Sequence, residues 1–318
     1  MGPLYVIAGP TACKKTETAV ELAKIIGGEI VSADSMLVYK KFDIGTVKPT
    51  PSERGGIPHH MIDVVSPDKM FSAAMYCEMA KKAIEGIYSR DKVPIIAGGT
   101  GFYINALLGG NGFESDNAEA NRETETDMQK SFEALAKEKG NAHILRMLRE
   151  VDPDSADSIH ENNARRVARA LAFFHTENRR ISEHNAAQKA KAAAYDARFT
   201  VLYTERVALY DRINKRVDRM VASGLEDEVR GLLEYGYGAG LTSMQGIGYK
   251  EMVSHLTGGR TIDEAVGSIK LATRRLAKRQ LTWFKKYSAD AFWLDVGSLL
   301  PSEAALEIYN YFNERTDD

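Results

Sequence analysis

Gly9-Pro10-Thr11-Ala12-Cys13-Lys14-Lys15-Thr16 follows directly on the apolar run Leu4 to Ala8 and opens a helical stretch. A loop in that position can converge backbone N–H groups and a helix N-terminus on a phosphate. Lys15 would add a point charge, and Thr16 a hydroxyl for a magnesium ion. Seven of the eight positions of the phosphate-loop pattern fit, and Lys14 stands where a glycine is expected. Hydrolysis of a nucleoside triphosphate also needs a carboxylate for the metal at the end of a buried strand. Here the run Val93 to Ala97 ends in Gly98-Gly99-Thr100 without one, and only Asp34, after Glu29 to Ala33, is so placed. That aspartate fits a base that activates a nucleophile at least as well as a metal ligand, with a helix cap or turn as its simplest structural role. Thr100 ends its strand at the same sheet edge, where α/β proteins gather ligands.

The three apolar runs are rich in β-branched residues and are separated by amphipathic stretches at Glu17–Ile26 and Ser72–Tyr88, the latter with Ser72 as a cap. This alternation predicts a parallel sheet covered by helices. From about Phe113 to Arg198 charged and alanine-rich stretches take over, with short helices expected at Gln129–Lys139, Ala142–Glu150 and Asn163–His175. Ala197 to Tyr203 is strand-like again. The expected organisation is an α/β, P-loop NTPase-like parallel sheet core with an inserted all-helical domain: core at 1–112, insertion at 113–198, and core resuming at 199–318. The last part reads as helices at Glu205–Val221, Leu225–Glu234, Gly248–Leu256 and Ile262–Lys285, with a final strand at Phe292–Val296. In the long helix, Ile262, Val266, Ile269, Leu276 and Trp283 form the expected packing seam.

With 318 residues and 44% hydrophobic content the chain can bury a sizeable core. Its 42 basic and 44 acidic residues nearly balance, so any nucleic-acid surface must be local. Such a surface is suggested by Lys270, Arg274, Arg275, Lys278, Arg279, Lys285 and Lys286, a run without an acidic residue, although a solvated helix face explains it equally well. Cys13 and Cys77 are the only cysteines, which excludes a disulfide scaffold and points to a reducing cytoplasm. No secretion signal and no membrane span are expected. His59 and His60 lack the spacing of a zinc site and are expected to hydrogen-bond within a loop. Met61, Met70, Met75 and Met79 are expected to pack in the core. Tyr103 would line an apolar channel or simply pack.

Taken in order, these segments resemble one family. Gly9 to Thr16, Ser32 to Tyr39, Asp43 to Pro49, GGIPHHMID at Gly55–Asp63, GGTGFY at Gly98–Tyr103, Ile159–Leu171, Arg206–Val217, SMQGIGYKE at Ser243–Glu251 and Ala277–Phe284 are similar to the tRNA dimethylallyltransferases, also called isopentenyl-tRNA transferases. The likeness runs from residue 4 to about 296. It implies transfer of a dimethylallyl group from dimethylallyl diphosphate to N6 of adenine 37 in tRNA, with magnesium, the phosphate loop holding diphosphate in place of ATP. Asp34 would then be the catalytic base, and Thr100 and Arg212 would contact the diphosphate. The anticodon stem-loop would meet Asp34, Ser35, Met36, Leu37 and Thr100, together with Arg122, Asn162, Arg165, Arg166 and Arg169 of the insertion. A monomer is expected. The chain departs from the family at Lys14, at Cys13 for a small residue such as serine, at Leu37 for a frequent glutamine, and at Phe102 for leucine. A small-molecule kinase, or a tRNA-binding relative impaired by Lys14, are the competing expectations.

Overall fold

The computed structural model describes residues 2–109, 120–190, 195–287 and 289–314. They fall into two compact units: Met1–Leu108 with Tyr195–Asp318, and Gly109–Ala194.

The first unit is built on a parallel sheet of six strands: β1 (Leu4–Ala8), β2 (Gly28–Ser32), β3 (His59–His60), β4 (Val93–Gly98), β5 (Ala197–Tyr203) and β6 (Phe292–Asp295). Their order is β3-β2-β4-β1-β5-β6. β1 is central, with Tyr5 to Ala8 registered against Ile95 to Gly98 and Leu4 to Ala8 against Ala197 to Val201. Its five residues are fully buried, as a strand covered on both faces requires. Ala197 and Arg198 pair with Leu4 and Tyr5, so the sheet takes the chain back before residue 199. Because every strand is parallel, the segments that follow β1, β2, β4, β5 and β6 all emerge at one edge.

Helices α1 (Lys15–Ile26), α2 (Ala73–Tyr88) and α3 (Gly101–Leu108) belong to the first half of this unit. Ser72 caps α2 by accepting a hydrogen bond from the Met75 N–H at 3.2 Å. The second unit holds α4 (Ala120–Lys139), α5 (Asn141–Val151), α6 (Pro153–Ser158), α7 (Ala164–Glu177) and α8 (Ile181–Ala190). Its core is Ile144, Leu148, Ile159, Val167 and Leu171 with small alanines. Asp152 is buried there, accepting from Ser155 N and Oγ and from Ser182 N and Oγ at 2.6–3.1 Å. Burial acts to raise its pKa, but these four hydrogen bonds outweigh it and hold the carboxyl below its ordinary value.

The chain then adds α9 (Arg206–Ala222), α10 (Leu225–Glu234), α11 (Tyr249–Leu256), α12 (Ile262–Phe284) and α13 (Pro301–Glu314) to the first unit. α9 straddles two apolar clusters. Leu209 and Ile213 join the core beneath the sheet, whereas Val217 and Met220 join a helical core around Phe42 and Tyr249.

Several expectations are corrected here. Ile262, Val266 and Ile269 of the expected α12 seam pack in the core, but its other buried residues are Ala265, Ala277 and Phe284, while Trp283 is exposed and packs on Phe102 at 5.6 Å. Met70 is exposed. The two histidines form an edge strand in place of a loop, with His60 Nε2 2.7 Å from buried Glu29 Oε2. Helices α3, α6, α8 and α13 were not expected. The basic stretch of α12 is not one open face either. Lys270 pairs with Asp218 at 2.5 Å, Lys286 donates to Asn105, and Arg274 lies over Tyr210, whereas Arg275, Lys278, Arg279 and Lys285 are exposed.

Candidate active site

The loop from Gly9 to Thr16 leaves β1 at the centre of the sheet edge. Gly9 has φ 146°, and a Cβ there would lie 2.4 Å from the Leu202 carbonyl oxygen, so β5 requires glycine at this position. Ala12 and Lys14 take φ of 66° and 53°, with Cys13 between them at negative φ. Alternation of hand turns successive N–H groups to one side, the arrangement that receives an anion. Lys14 thus adopts the left-handed backbone of the missing glycine, at ψ 29°, and its Nζ donates to the Leu299 carbonyl at 3.0 Å. Lys15 lies across its own loop, with Nζ donating to Pro10 O at 2.7 Å. Thr16 is half-buried in the first turn of α1. Cys13 is fully buried, and burial pushes its thiol up to about 11, despite the opposing charges of Lys15 and Arg212. It therefore packs as a protonated thiol and offers no nucleophile at neutral pH.

Asp34 stands two residues beyond the end of the neighbouring β2-β4 pair, whose closeness is set by Gly98. A Cβ on Gly98 would sit 2.2 Å from Ala33 O. Asp34 Oδ1 accepts from the Met36 N–H at 2.8 Å, which fixes the carboxyl plane in a local turn. Thr100 Oγ1 accepts from the Ser35 N–H at 3.0 Å, and the Thr100 N–H donates to Ala33 O at 3.0 Å. The two strand ends are thereby knitted together, and the Thr100 side chain is turned toward Ser35. Met36 is half-buried and Leu37 is buried. Tyr103 stacks on Tyr76 at 4.1 Å and 12°, a packing role.

Two further residues of the candidate site escaped sequence reasoning. Gln280 of α12 accepts from the Thr11 N–H at 2.9 Å through Oε1 and donates to Gly99 O at 2.9 Å through Nε2. One amide therefore ties the phosphate loop to the Gly98–Gly101 turn. Its sequence signal was an amide side chain inside a cationic run. Arg216 is the second. Burial lowers the pKa of Lys15, while the charge of Asp34 raises it and that of Arg216 lowers it again. Arg216 is itself lowered by burial and raised by Asp34. Lys15, Asp34 and Arg216 thus share one field. Arg216 follows Arg212 by four residues on α9, which sets both on one side of the helix. Arg212 Nη2 donates to Gly297 O at 2.6 Å and more weakly to Val296 O, and its Nη1 is buried without a protein partner among the described residues. Its charge bears on Cys13 of the loop.

In the helical unit, Asn162 is exposed ahead of α7, and Arg165, Arg166 and Arg169 project from the exposed side of that helix, Arg165 Nε 3.9 Å from Glu133. The side chain of Arg122 lies outside the described residues.

Residues 37–287 match the family described as IPP transferase. The chain is 44% identical over 312 residues to the tRNA dimethylallyltransferase of Acetivibrio thermocellus, covering 98% of this chain and 97% of that one. The crystal structure of a tRNA delta(2)-isopentenylpyrophosphate transferase from Staphylococcus epidermidis is similar at TM-score 0.70 and 40% identity, over 99% of this chain and 100% of that one. A eukaryotic dimethylallyltransferase acting on tRNA is similar at TM-score 0.82 and 28% identity, over 100% of this chain and 80% of that one.

Proposed function

The chain belongs to the IPP transferase family, and from that membership we propose that it transfers the dimethylallyl group of dimethylallyl diphosphate to N6 of adenine 37 in tRNA. A phosphate-loop reading of the parallel core is supported by β4 lying between β1 and β2 and by the loop at the end of β1. The observation that carries the reading is that one sheet edge brings the phosphate loop, tied by Gln280 to Gly99, beside the Asp34 turn, which the Thr100 hydrogen bonds to Ser35 and Ala33 join to the same Gly98–Gly101 segment.

The N6 lone pair is delocalised into the ring, so the reaction needs aligned substrates, a proton acceptor and a stabilised leaving group. Asp34 Oδ1 is held by Met36, and Oδ2 is assigned to the N6 proton. The N6–C bond forms as the allylic C–O bond breaks, and the electron pair of that bond leaves on the diphosphate. Lys15, Arg212, Arg216 and the loop amides stabilise the growing charge. The loop also fits magnesium: the Thr16 hydroxyl, in the first turn of α1, would hold the ion together with substrate oxygens and water. When bound, magnesium adds charge stabilisation to the leaving diphosphate. Cys13, Lys14 and the other loop residues, Gly9, Pro10, Thr11 and Ala12, form the cradle.

On the RNA side, Ser35, Met36, Leu37 and Thr100 border the base, and Arg122, Asn162, Arg165, Arg166 and Arg169 grip the stem-loop through phosphates. The acceptor base must leave its stack to reach Asp34. Among the described residues no helix is long and apolar enough to cross a membrane.

The test is transfer of labelled dimethylallyl to unmodified tRNA, with an adenine-37-to-guanine tRNA as control. Label confined to the adenine tRNA, and lost by about a hundredfold in Asp34→Asn, is the expected result. Full activity in Asp34→Asn, which keeps the Met36 bond, would remove aspartate from the role of base.

A further inference from the structure

Two stretches singled out in the sequence have no part in the mechanism above: Asp43 to Pro49 and Ser243 to Glu251. They meet at one carboxylate of α10. Glu228 Oε2 accepts from the Asp43 N–H at 3.0 Å and the Ile44 N–H at 2.7 Å. Its Oε1 accepts from the Gly45 N–H at 3.0 Å and the Tyr249 hydroxyl at 2.8 Å. Three consecutive backbone donors on one side chain form an anion nest that the protein fills with its own carboxylate.

The surroundings explain the residue types. A Cβ on Gly45 would lie 2.5 Å from the Tyr249 ring, so only glycine lets the loop lie against that tyrosine. Tyr249 is fully buried and packs against Phe42 at 4.4 Å. Lys48 fastens the other end of the loop, 2.6 Å from Asp43 and 2.5 Å from Asp63, and donates to Tyr39 O. Between the two fastenings, Thr46 O accepts from Arg216 Nη2 at 3.0 Å.

We propose that Glu228 is a positioning residue for prenyl transfer: by pinning residues 43–45 it sets the Thr46 carbonyl, which in turn holds the Arg216 guanidinium one turn of α9 beyond Arg212. The inference rests on the function proposed above. Glu228 touches neither substrate, and its effect is confined to the diphosphate side of the reaction.

The experiment is a double-mutant cycle on the full chain. Binding of inorganic diphosphate with magnesium is measured by calorimetry, beside tRNA binding and tRNA prenylation. Glu228→Gln exchanges one acceptor oxygen for an N–H donor facing the loop amides. It is expected to weaken diphosphate binding about tenfold and leave tRNA affinity within about twofold. In an Arg216→Ala background the same change should cost less than about twofold, since its route is already gone. Equal losses in both backgrounds, or none in Glu228→Gln, overturn the proposal. Tyr249→Phe, which removes one of the four donors, is expected to give about a threefold loss and supplies the reading if Glu228→Gln does not fold; no loss there overturns it. A wild-type chain that binds diphosphate but prenylates no tRNA sinks the proposed reaction while the cycle still judges Glu228. A wild-type chain that binds no diphosphate overturns both.

Discussion

Replacing Lys14 by glycine puts back the residue that the phosphate-loop pattern asks for, and the structure gives the expected balance. Lys14 sits at φ 53°, ψ 29°, a backbone that costs a residue with a Cβ about 1–2 kcal/mol. Glycine removes that strain. It also frees the unfolded chain, at a cost of about 0.4–1 kcal/mol, and deletes the bond from Nζ to Leu299 O, a further loss of about 0.5–1.5 kcal/mol. The effects nearly cancel, so Lys14→Gly should unfold in urea within about 1 kcal/mol of the parent. Lys14→Ala keeps the strain and loses the bond, and should be about 1 kcal/mol less stable than the parent. Because the ammonium is held at Leu299, both variants should prenylate tRNA within about threefold of the parent kcat/KM. Alanine proving more stable than glycine would refute the backbone argument. A tenfold or greater gain in kcat/KM for glycine would show the lysine side chain entering the diphosphate site.

Gln280→Leu leaves the Thr11 N–H and the Gly99 carbonyl without their shared partner, and should lower kcat/KM for the donor by about tenfold or more in the transfer assay. Gly99→Ala, whose Cβ would meet Gln280 Nε2 at 2.3 Å, should reproduce that loss by displacing the same amide. Asp152→Ala strands the N–H and hydroxyl groups of Ser155 and Ser182 and should destabilise the helical unit by about 2–4 kcal/mol, read by amide exchange in α6 and α8. Glu29 is held below its ordinary 4.5, chiefly by the hydrogen bond from Arg90, with burial opposing and His60 adding to it. A depressed carboxylate stabilises the fold fully above its unfolded value and loses that contribution as pH falls through the folded one. Urea unfolding between pH 7 and pH 3 should therefore show a drop below about 4.5 that is smaller in Arg90→Ala.

The sheet was legible because parallel strands buried on both faces write continuous apolar runs: Leu4–Ala8 and Ala197–Tyr203 match the expected segments at both ends. The edge pair His59–His60 left no such run, being two half-buried polar residues held by hydrogen bonds to Ile57 and Glu29. On α12 the expected Ile262, Val266 and Ile269 do pack, but Trp283 was misread because tryptophan outranks alanine on any hydrophobicity count. Ala265 and Ala277 are buried because small side chains let neighbouring elements come close, and Trp283 instead covers Gly101 from outside. Of the proposed site, Gly9 to Thr16, Asp34 and Thr100 could be read from their places at strand ends. Gln280 and Arg216 act across long separations in the chain, and spacing along the sequence says nothing about which carbonyl an amide or guanidinium will find.

The pairing of Leu4 with Ala197 has a consequence for how the molecule is made. One flank of the central strand waits for a partner 193 residues further along the chain. At about 5–20 residues per second of synthesis, that is a delay of about 10 to 40 s. Through it the Leu4–Ala8 segment presents an open apolar edge, the kind that joins neighbouring nascent chains. Closure late in synthesis makes this a high-contact-order assembly whose final step is slow. The helical unit, contiguous in the chain and free to fold while the wait lasts, separates the two moments at which the sheet is built.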